Sequence, residues 1–212
     1  MRRVLLVVAA LLAPALLAGC AWREDARFAT FATVLPVGED AASAREPGAF
    51  LVGASSDERS GEDPFPGDGR AAAWTLVFAL REASELLCLH VDAASRAVAD
   101  EESRALPGRG PADAGHTGFL EAGLAPSNAS SAVDSDAVVQ AARANATFVA
   151  GVERAAPSSW RVTLVGVGSG SLWAVTASGG NASATAAVDA VTGRVLHVTS
   201  GAASSEDAGC GA

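Results

Sequence analysis

The 212-residue chain contains no lysine and no tyrosine, and aromatic residues make up only 5% of it. Every basic residue is therefore an arginine. Acidic residues outnumber basic ones 24 to 15, which gives a net charge of −9. A surface of this sign repels phosphate backbones, and no basic patch offsets the repulsion. We therefore expect no nucleic-acid partner.

Long hydrophobic segments are also absent, apart from one near the amino terminus. Val4–Leu17 is a 14-residue apolar run that only Pro14 interrupts, whereas a membrane-spanning helix needs roughly 20 such residues. Arg2 and Arg3 precede the run and small residues follow it, which is the pattern of a signal peptide. We expect the rest of the chain to be soluble.

The residues that close this run, Leu16-Leu17-Ala18-Gly19-Cys20, resemble the lipobox of bacterial or archaeal lipoproteins. The resemblance covers only the first 20 residues. It implies cleavage before Cys20, a diacylglyceryl thioether on the Cys20 sulfur, and a mature chain anchored outside the cytoplasm to the cell membrane or the outer surface. An uncleaved anchor helix and an ordinary secretory signal are the alternatives. Two or more acyl chains give stable anchoring, whereas one chain holds a protein only weakly.

Cysteine usage gives one further prediction. If Cys20 carries lipid, Cys88 and Cys210 remain of the three cysteines in the chain. Compartments outside the cytoplasm permit disulfides, so Cys88 and Cys210 are a possible disulfide pair. The alternative is a buried free thiol at Cys88 and a dispensable thiol at Cys210.

An internal repeat is indicated by three short matches that recur in the same order. The matches pair Ala44–Gly53 with Ala142–Gly151, Trp74 with Trp160, and Val91–Ala93 with Val188–Ala190. They predict a duplicated unit of about 60 residues. We expect each unit to belong to the α+β class, with one helix packed on a small antiparallel sheet and with Trp74 and Trp160 in equivalent buried positions. Chance matching of abundant alanine and valine is the alternative.

The predicted organisation follows from this repeat. It comprises a signal peptide 1–19, a tether 20–38, a first unit 39–105, a Gly/Pro-rich linker 106–131, a second unit 132–200 and a disordered tail 201–212. The alternative to a tether is an additional helix over Asp25–Leu35. In the second unit, Asp134 or Ser135 can cap a helix. Four strands with glycine-containing turns follow that helix.

The second unit is similar to the PepSY domain, which occurs in propeptides of secreted peptidases and in many envelope lipoproteins. The resemblance lies in a Trp-led strand at Trp160 and in Val188-Asp189-Ala190-Val191-Thr192-Gly193-Arg194-Val195-Leu196. The first unit departs from the pattern, because Ala94-Ser95-Arg96 stands where a turn glycine is expected. The resemblance implies an α+β fold and a non-catalytic binding or inhibitory role. It transfers no catalytic residue.

Catalytic and metal-binding patterns are not evident. His90, His116 and His197 lack the spacing of metal ligands. Gly168-Ser169-Gly170-Ser171 does not fit the five-residue Gly-x-Ser-x-Gly frame of a nucleophile elbow. We therefore predict a protein that is not an enzyme and that holds neither a metal nor another cofactor.

All three asparagines of the chain lie in the sequence Asn-x-Ser/Thr. They are Asn128, Asn145 and Asn181. This sequence is the acceptor for N-glycosylation, which places a solvating glycan on an extracytoplasmic surface. The three sites are candidates for modification. The alternative is that small residues simply follow asparagine in this composition.

These observations predict a membrane-anchored extracytoplasmic lipoprotein. It would act as a non-catalytic binding or regulatory module, with an envelope peptidase or another envelope protein as its partner. The alternative is a structural or spacer protein of the envelope with a solvating, glycosylated surface. A contiguous exposed apolar patch on the sheets would favour binding.

Overall fold

One continuous antiparallel sheet of eight strands forms the centre of the protein. The computed structural model describes residues 27–57, 68–80, 85–105, 129–167 and 170–202. The strands are β1 Phe50–Asp57, β2 Ala73–Leu80, β3 Glu85–Asp92, β4 Ala97–Ala105, β5 Ser159–Val167, β6 Gly170–Gly179, β7 Ala182–Asp189 and β8 Val195–Ala202. Their order across the sheet is β4-β3-β2-β1-β5-β6-β7-β8. Two four-stranded meanders are thus joined where β1 pairs with β5.

The helices that the structure describes pack on one side of this sheet, which we call the inner face. They are α1 Phe31–Arg45, α2 Ser135–Arg143 and α3 Ala146–Ala155, and a short 3-10 turn covers Ala129–Ser131. Asp134 is the N-cap of α2 and Asp136 lies in its first turn, so the predicted cap is confirmed. Of these helices, none has the length and apolar character needed to cross a bilayer.

The inner face holds the main hydrophobic core. Phe31 of α1 lies between two fully buried tryptophans, with its ring centroid 5.8 Å from that of Trp74 and 5.2 Å from that of Trp173. The Trp74 indole donates to the Ala29 carbonyl at 2.9 Å, and the Trp173 indole donates to the Val133 carbonyl at 3.0 Å. Both indoles therefore bury their rings while their N–H groups keep a partner.

The amino-terminal ends of α1 and α2 meet over this core. The Ser135 hydroxyl accepts a hydrogen bond from the Phe31 amide at 3.0 Å and donates one to the Gly69 carbonyl at 2.6 Å. Asp134 Oδ1 accepts from the Ala32 amide at 2.9 Å. The side chain of Thr30, the residue before α1, makes no capping hydrogen bond to the helix amides. Residues from the second half of the chain therefore satisfy the free amides at the start of α1.

The prediction of two separate α+β units, each with its own small sheet, is wrong. Gly53, Ala54 and Ser55 of β1 pair antiparallel with β5, so the sheet runs without interruption through both halves. A four-stranded sheet that ended at β1 or β5 would leave a row of unpaired backbone groups. Pairing the two strands removes both edges from the middle of the molecule.

Two of the three sequence matches occupy unrelated positions in this fold. Phe50–Gly53 lies in β1, whereas Phe148–Gly151 lies in α3. Trp74 is on β2, but Trp160 is on β5 and only partly buried, so the predicted equivalence of the two is wrong. Trp173 on β6 makes the indole contact that corresponds to that of Trp74. Of the three matches, only the Val-Asp-Ala segments occupy corresponding positions, because one lies at the end of β3 and the other at the end of β7.

Helix α1 begins earlier than the sequence pattern suggested. It starts at Phe31 and includes Pro36 at an exposed position. The segment 20–38, for which we expected a tether with a helix over Asp25–Leu35 as the alternative, therefore contains the first two turns of α1. Ala29, just before it, pairs with Ala71 in an isolated bridge and is buried. Ala29 is therefore already part of the packed structure.

The outermost strands of the sheet differ in charge. Strand β4 carries Asp100, Glu101, Glu102 and Arg104 in its nine residues. Strand β8, with the sequence Val-Leu-His-Val-Thr-Ser-Gly-Ala, carries no aspartate, glutamate, lysine or arginine. Within the described residues, no further strand pairs with the free edge of either one.

Candidate functional site

The sheet face turned away from the helices, which we call the outer face, carries two parallel rows of side chains. The strand register defines both rows, because paired residues point to the same side of a sheet. The apolar row is Cys88, Val77, Gly53, Val165 and Leu172. The polar row beside it is His90, Thr75, Ser55, Thr163, Ala174, Ala187 and His197.

Burial changes along the apolar row. At the β3 end, the Cys88 side chain is fully buried, whereas Val165 on β5 is 39% exposed. Val52 and Ala79 form a small separate core on this side with Phe50, Val77 and Leu86 packed against them. The outer face therefore has a covered part over β1–β3 and an open apolar part over β5 and β6.

The histidines do not form a cluster in the part of the chain that the structure describes. His90 is buried, and its Nδ1 lies 2.9 Å from the Thr75 hydroxyl oxygen. His197 is exposed at the opposite end of the polar row, six strand spacings away, or about 29 Å. His116 lies outside the described residues. Among those residues, no three His, Cys, Asp or Glu side chains are grouped closely enough to hold a metal.

Cys88 takes part in a disulfide. The other two cysteines, Cys20 and Cys210, lie outside the described residues. Because their positions are not described, the Cys88–Cys210 pairing stays a prediction, and so does the lipidation of Cys20.

Two of the three candidate glycosylation sites can be placed. Asn181 is exposed in the turn between β6 and β7, next to Gly180 with its φ of 56°. Asn145 is the N-cap of α3, and its side-chain oxygen accepts hydrogen bonds from the Thr147 and Phe148 amides. Asn128 lies outside the described residues. Asn145 thus has a structural role that is independent of its sequon, whereas Asn181 presents an accessible amide.

The repeated Val-Asp-Ala segments have a structural explanation. Asp92 Oδ1 accepts from the Ser95 amide and hydroxyl at 2.7 and 2.6 Å. Asp189 Oδ1 accepts from the Thr192 amide and hydroxyl at 2.7 and 2.8 Å. These hydrogen bonds hold the pKa of both carboxyl groups below the ordinary value. Both groups therefore stabilise turns as carboxylates, and the motif that suggested a family marks two hairpins.

Comparison with known proteins gives a fold but no family. No family model matches the chain, and no curated protein matches it. The PepSY resemblance therefore gains no support. The fold is similar to that of a protein from Clostridium difficile 630 whose crystal structure bears the name "putative lipoprotein (CD1622)". The TM-score is 0.53 at 10% sequence identity, over 77% of this chain and 90% of that chain. At this identity the similarity shows a shared fold alone.

Proposed function

We propose that this protein is a lipoprotein, anchored through Cys20 to the extracytoplasmic side of a membrane, that acts as a non-catalytic binding or regulatory module. The observation that carries the anchor is Leu17-Ala18-Gly19-Cys20 after an apolar run that is too short to span a bilayer. The shared fold with a protein that bears a lipoprotein name is compatible with this proposal. Ala29 comes nine positions after Cys20 in the chain. An extended chain of that length spans about 30 Å, so the folded part lies close to the membrane surface.

The open part of the outer face supports the binding role. Val165 and Leu172 are paired neighbours on β5 and β6, and Ala174 lies beside them on the adjacent row. Val165 is 39% exposed, and Leu172 and Ala174 are partly exposed. A module that only fills space would be expected to present polar side chains here, whereas an exposed apolar group favours contact with another protein. The proposed partner is an envelope protein, such as a peptidase.

The anchor is tested by fractionating cells that express Cys20→Ser. The variant should leave the membrane fraction, because the sulfur that accepts the acyl chains is gone. Cys210→Ser is the matched control and should stay with the membrane. Equal membrane association of Cys20→Ser and the wild type would contradict the anchor.

The binding surface is tested by pull-down from envelope extract with the lipid-free Cys20→Ser chain as bait. Val165→Glu places a charge on the open outer face and should abolish capture of a specific partner. Val149→Glu is the matched control, because Val149 on α3 is 38% exposed, close to the 39% of Val165, but lies away from that face. Capture that is equally strong with both variants would rule out the outer face as the binding surface.

A structural or spacer role is the second candidate. The observation that favours it is the exposed Asn181 in an Asn-x-Ser sequence, since a glycan at this turn would solvate the surface. Repeated absence of any captured partner, together with a glycan on Asn181 in the native host, would support the spacer over the binding module.

A further inference from the structure

We propose that the free edge of β8 binds an extended, acidic segment of a partner protein by strand addition, and that Arg154 recognises a carboxylate of that segment. This proposal rests on the binding role proposed above. It adds a second surface, separate from the open part of the outer face around Val165, and it specifies the chemistry of the partner segment. Addition of a strand to an exposed sheet edge is a common mode of peptide recognition.

The hydrogen bonds at the end of β7 show which way its backbone groups point. Residues of an antiparallel strand direct their N–H and C=O groups alternately to the two neighbouring strands. The Ala190 amide donates to the Ser171 carbonyl, on the β6 side, at 3.1 Å. The Asp189 amide donates to the Arg194 carbonyl, on the β8 side, at 2.9 Å. The odd-numbered residues of β7 therefore bond to β8.

The register carries this alternation into β8. The β8 residues that pair with odd-numbered residues of β7 are His197, Thr199 and Gly201. The backbone groups of the residues between and after them therefore point to the free edge, and these residues are Val198, Ser200 and Ala202. Within the described residues, no other strand and no other backbone group bonds to them there. An added strand can thus form six hydrogen bonds, with three N–H and three C=O groups of β8.

Arg154 of α3 gives this edge a preference for a negative charge. Ser200 points to the inner face, because its partner Ala184 lies in the inner core. Arg154 Nη2 donates to the Ser200 hydroxyl oxygen at 3.1 Å, and Arg154 Nε donates to the Ala150 carbonyl at 3.0 Å. A partner residue paired directly with Ser200 would point to the same face from about 5.5 Å away. Its carboxylate can therefore reach the Arg154 guanidinium.

The opposite edge of the sheet does not suit an acidic segment. Strand β4 carries Asp100, Glu101 and Glu102, which repel another carboxylate, and Asp100 Oδ1 already accepts a hydrogen bond from the Glu101 amide at 2.9 Å. Strand β8 has no aspartate or glutamate. Val198 packs against the inner core, so an apolar partner residue suits the position opposite it. The segment that fits β8 therefore has an acidic residue and an apolar residue two positions apart.

Fluorescence anisotropy with a labelled synthetic peptide, Thr-Val-Thr-Glu-Thr-Val-Thr, and the membrane-extracted wild-type protein tests the proposal. The glutamate lies between two valines, so the peptide fits β8 in either direction. The matched control peptide has glutamine in place of glutamate. The glutamate peptide should bind about two- to fivefold more tightly, the range of an exposed ion pair, and the preference should shrink at about 1 M salt. Absence of binding, or equal affinity for the two peptides, would overturn the proposal.

Variants of Ser200 and Arg154 locate the binding. Ser200→Pro removes the N–H at the free edge but no bond to β7, and should weaken both peptides at least about tenfold. Ser200→Ala keeps that N–H and should still bind the glutamine peptide as the wild type does.

Arg154→Gln, a change at an exposed position, should bind the glutamine peptide normally and lose the preference for glutamate. Circular dichroism verifies that each variant is folded. Equal binding by Ser200→Pro and Ser200→Ala, or an unchanged preference in Arg154→Gln, would overturn the proposal. Peptide binding that is lost in Val165→Glu but kept in Ser200→Pro would do so as well, and would leave the proposed function standing on the outer face.

Discussion

Replacing Ser135 with alanine should destabilise the protein strongly, although serine to alanine is a small change. The Ser135 side chain is fully buried and its hydroxyl has two backbone partners, the Phe31 amide and the Gly69 carbonyl. Alanine leaves both backbone groups without this partner. Each buried polar group that loses its partner costs about 1–3 kcal/mol. For the two groups together, the expected loss in the free energy of unfolding is about 2–6 kcal/mol.

Urea unfolding of the Cys20→Ser chain, followed by fluorescence, measures this loss. Tryptophan is the only strong fluorophore because the chain has no tyrosine, and Trp74 and Trp173 lie at the same core. With a slope of about 2 kcal/mol per molar urea, the urea concentration at the midpoint should fall by about 1–3 M. Ser158→Ala is the matched control, since Ser158 is exposed. A change for Ser135→Ala within about 0.5 kcal/mol, the range of an ordinary surface substitution, would refute the reasoning.

Two further predictions concern polar side chains at the ends of elements. Asn145→Ala should lower the free energy of unfolding by about 1 kcal/mol, whereas Asn145→Asp should retain most of it because a carboxylate also caps a helix. Equal losses in urea unfolding would contradict the capping role. The pKa of Asp189 is lowered by hydrogen bonds from Thr192, so its stabilisation is present above the ordinary value of 3.8 and is lost as the pH falls through the folded value. The stability difference between the wild type and Asp189→Asn should therefore shrink on acidification, and a difference that does not change with pH would contradict this role.

Local structure in the second half could be predicted from the sequence. Asp134 before an amphipathic segment predicted the N-cap of α2. The alternation of apolar and polar residues that begins at Trp160 predicted strand β5. Both signals lie within a few residues of the element that they predict. The start of α1 had no such signal, because its amides are satisfied by Ser135 and Asp134, more than 100 residues away in sequence.

The joining of the two halves could not be predicted. The alternation of apolar and polar residues shows which side of a strand is buried, but it does not show which strand lies next to that strand. The contact of β1 with β5 extends over three residue pairs and has no sequence signature of its own.

The residues of the candidate site could not be grouped from the sequence for the same reason. Val77 and Val165 become neighbours in one row only through Gly53, which pairs with both. Three residues far apart in the sequence thus form a single surface.

The unequal charge of the two outermost strands sets a limit on how copies of this protein can assemble. Strand β4 presents Asp100, Glu101 and Glu102, and like charges brought together on two such edges repel each other. Strand β8 offers no such barrier. Charge repulsion therefore disfavours strand addition between two copies through β4 against β4, whereas it does not oppose β8 against β8, which is a two-fold arrangement.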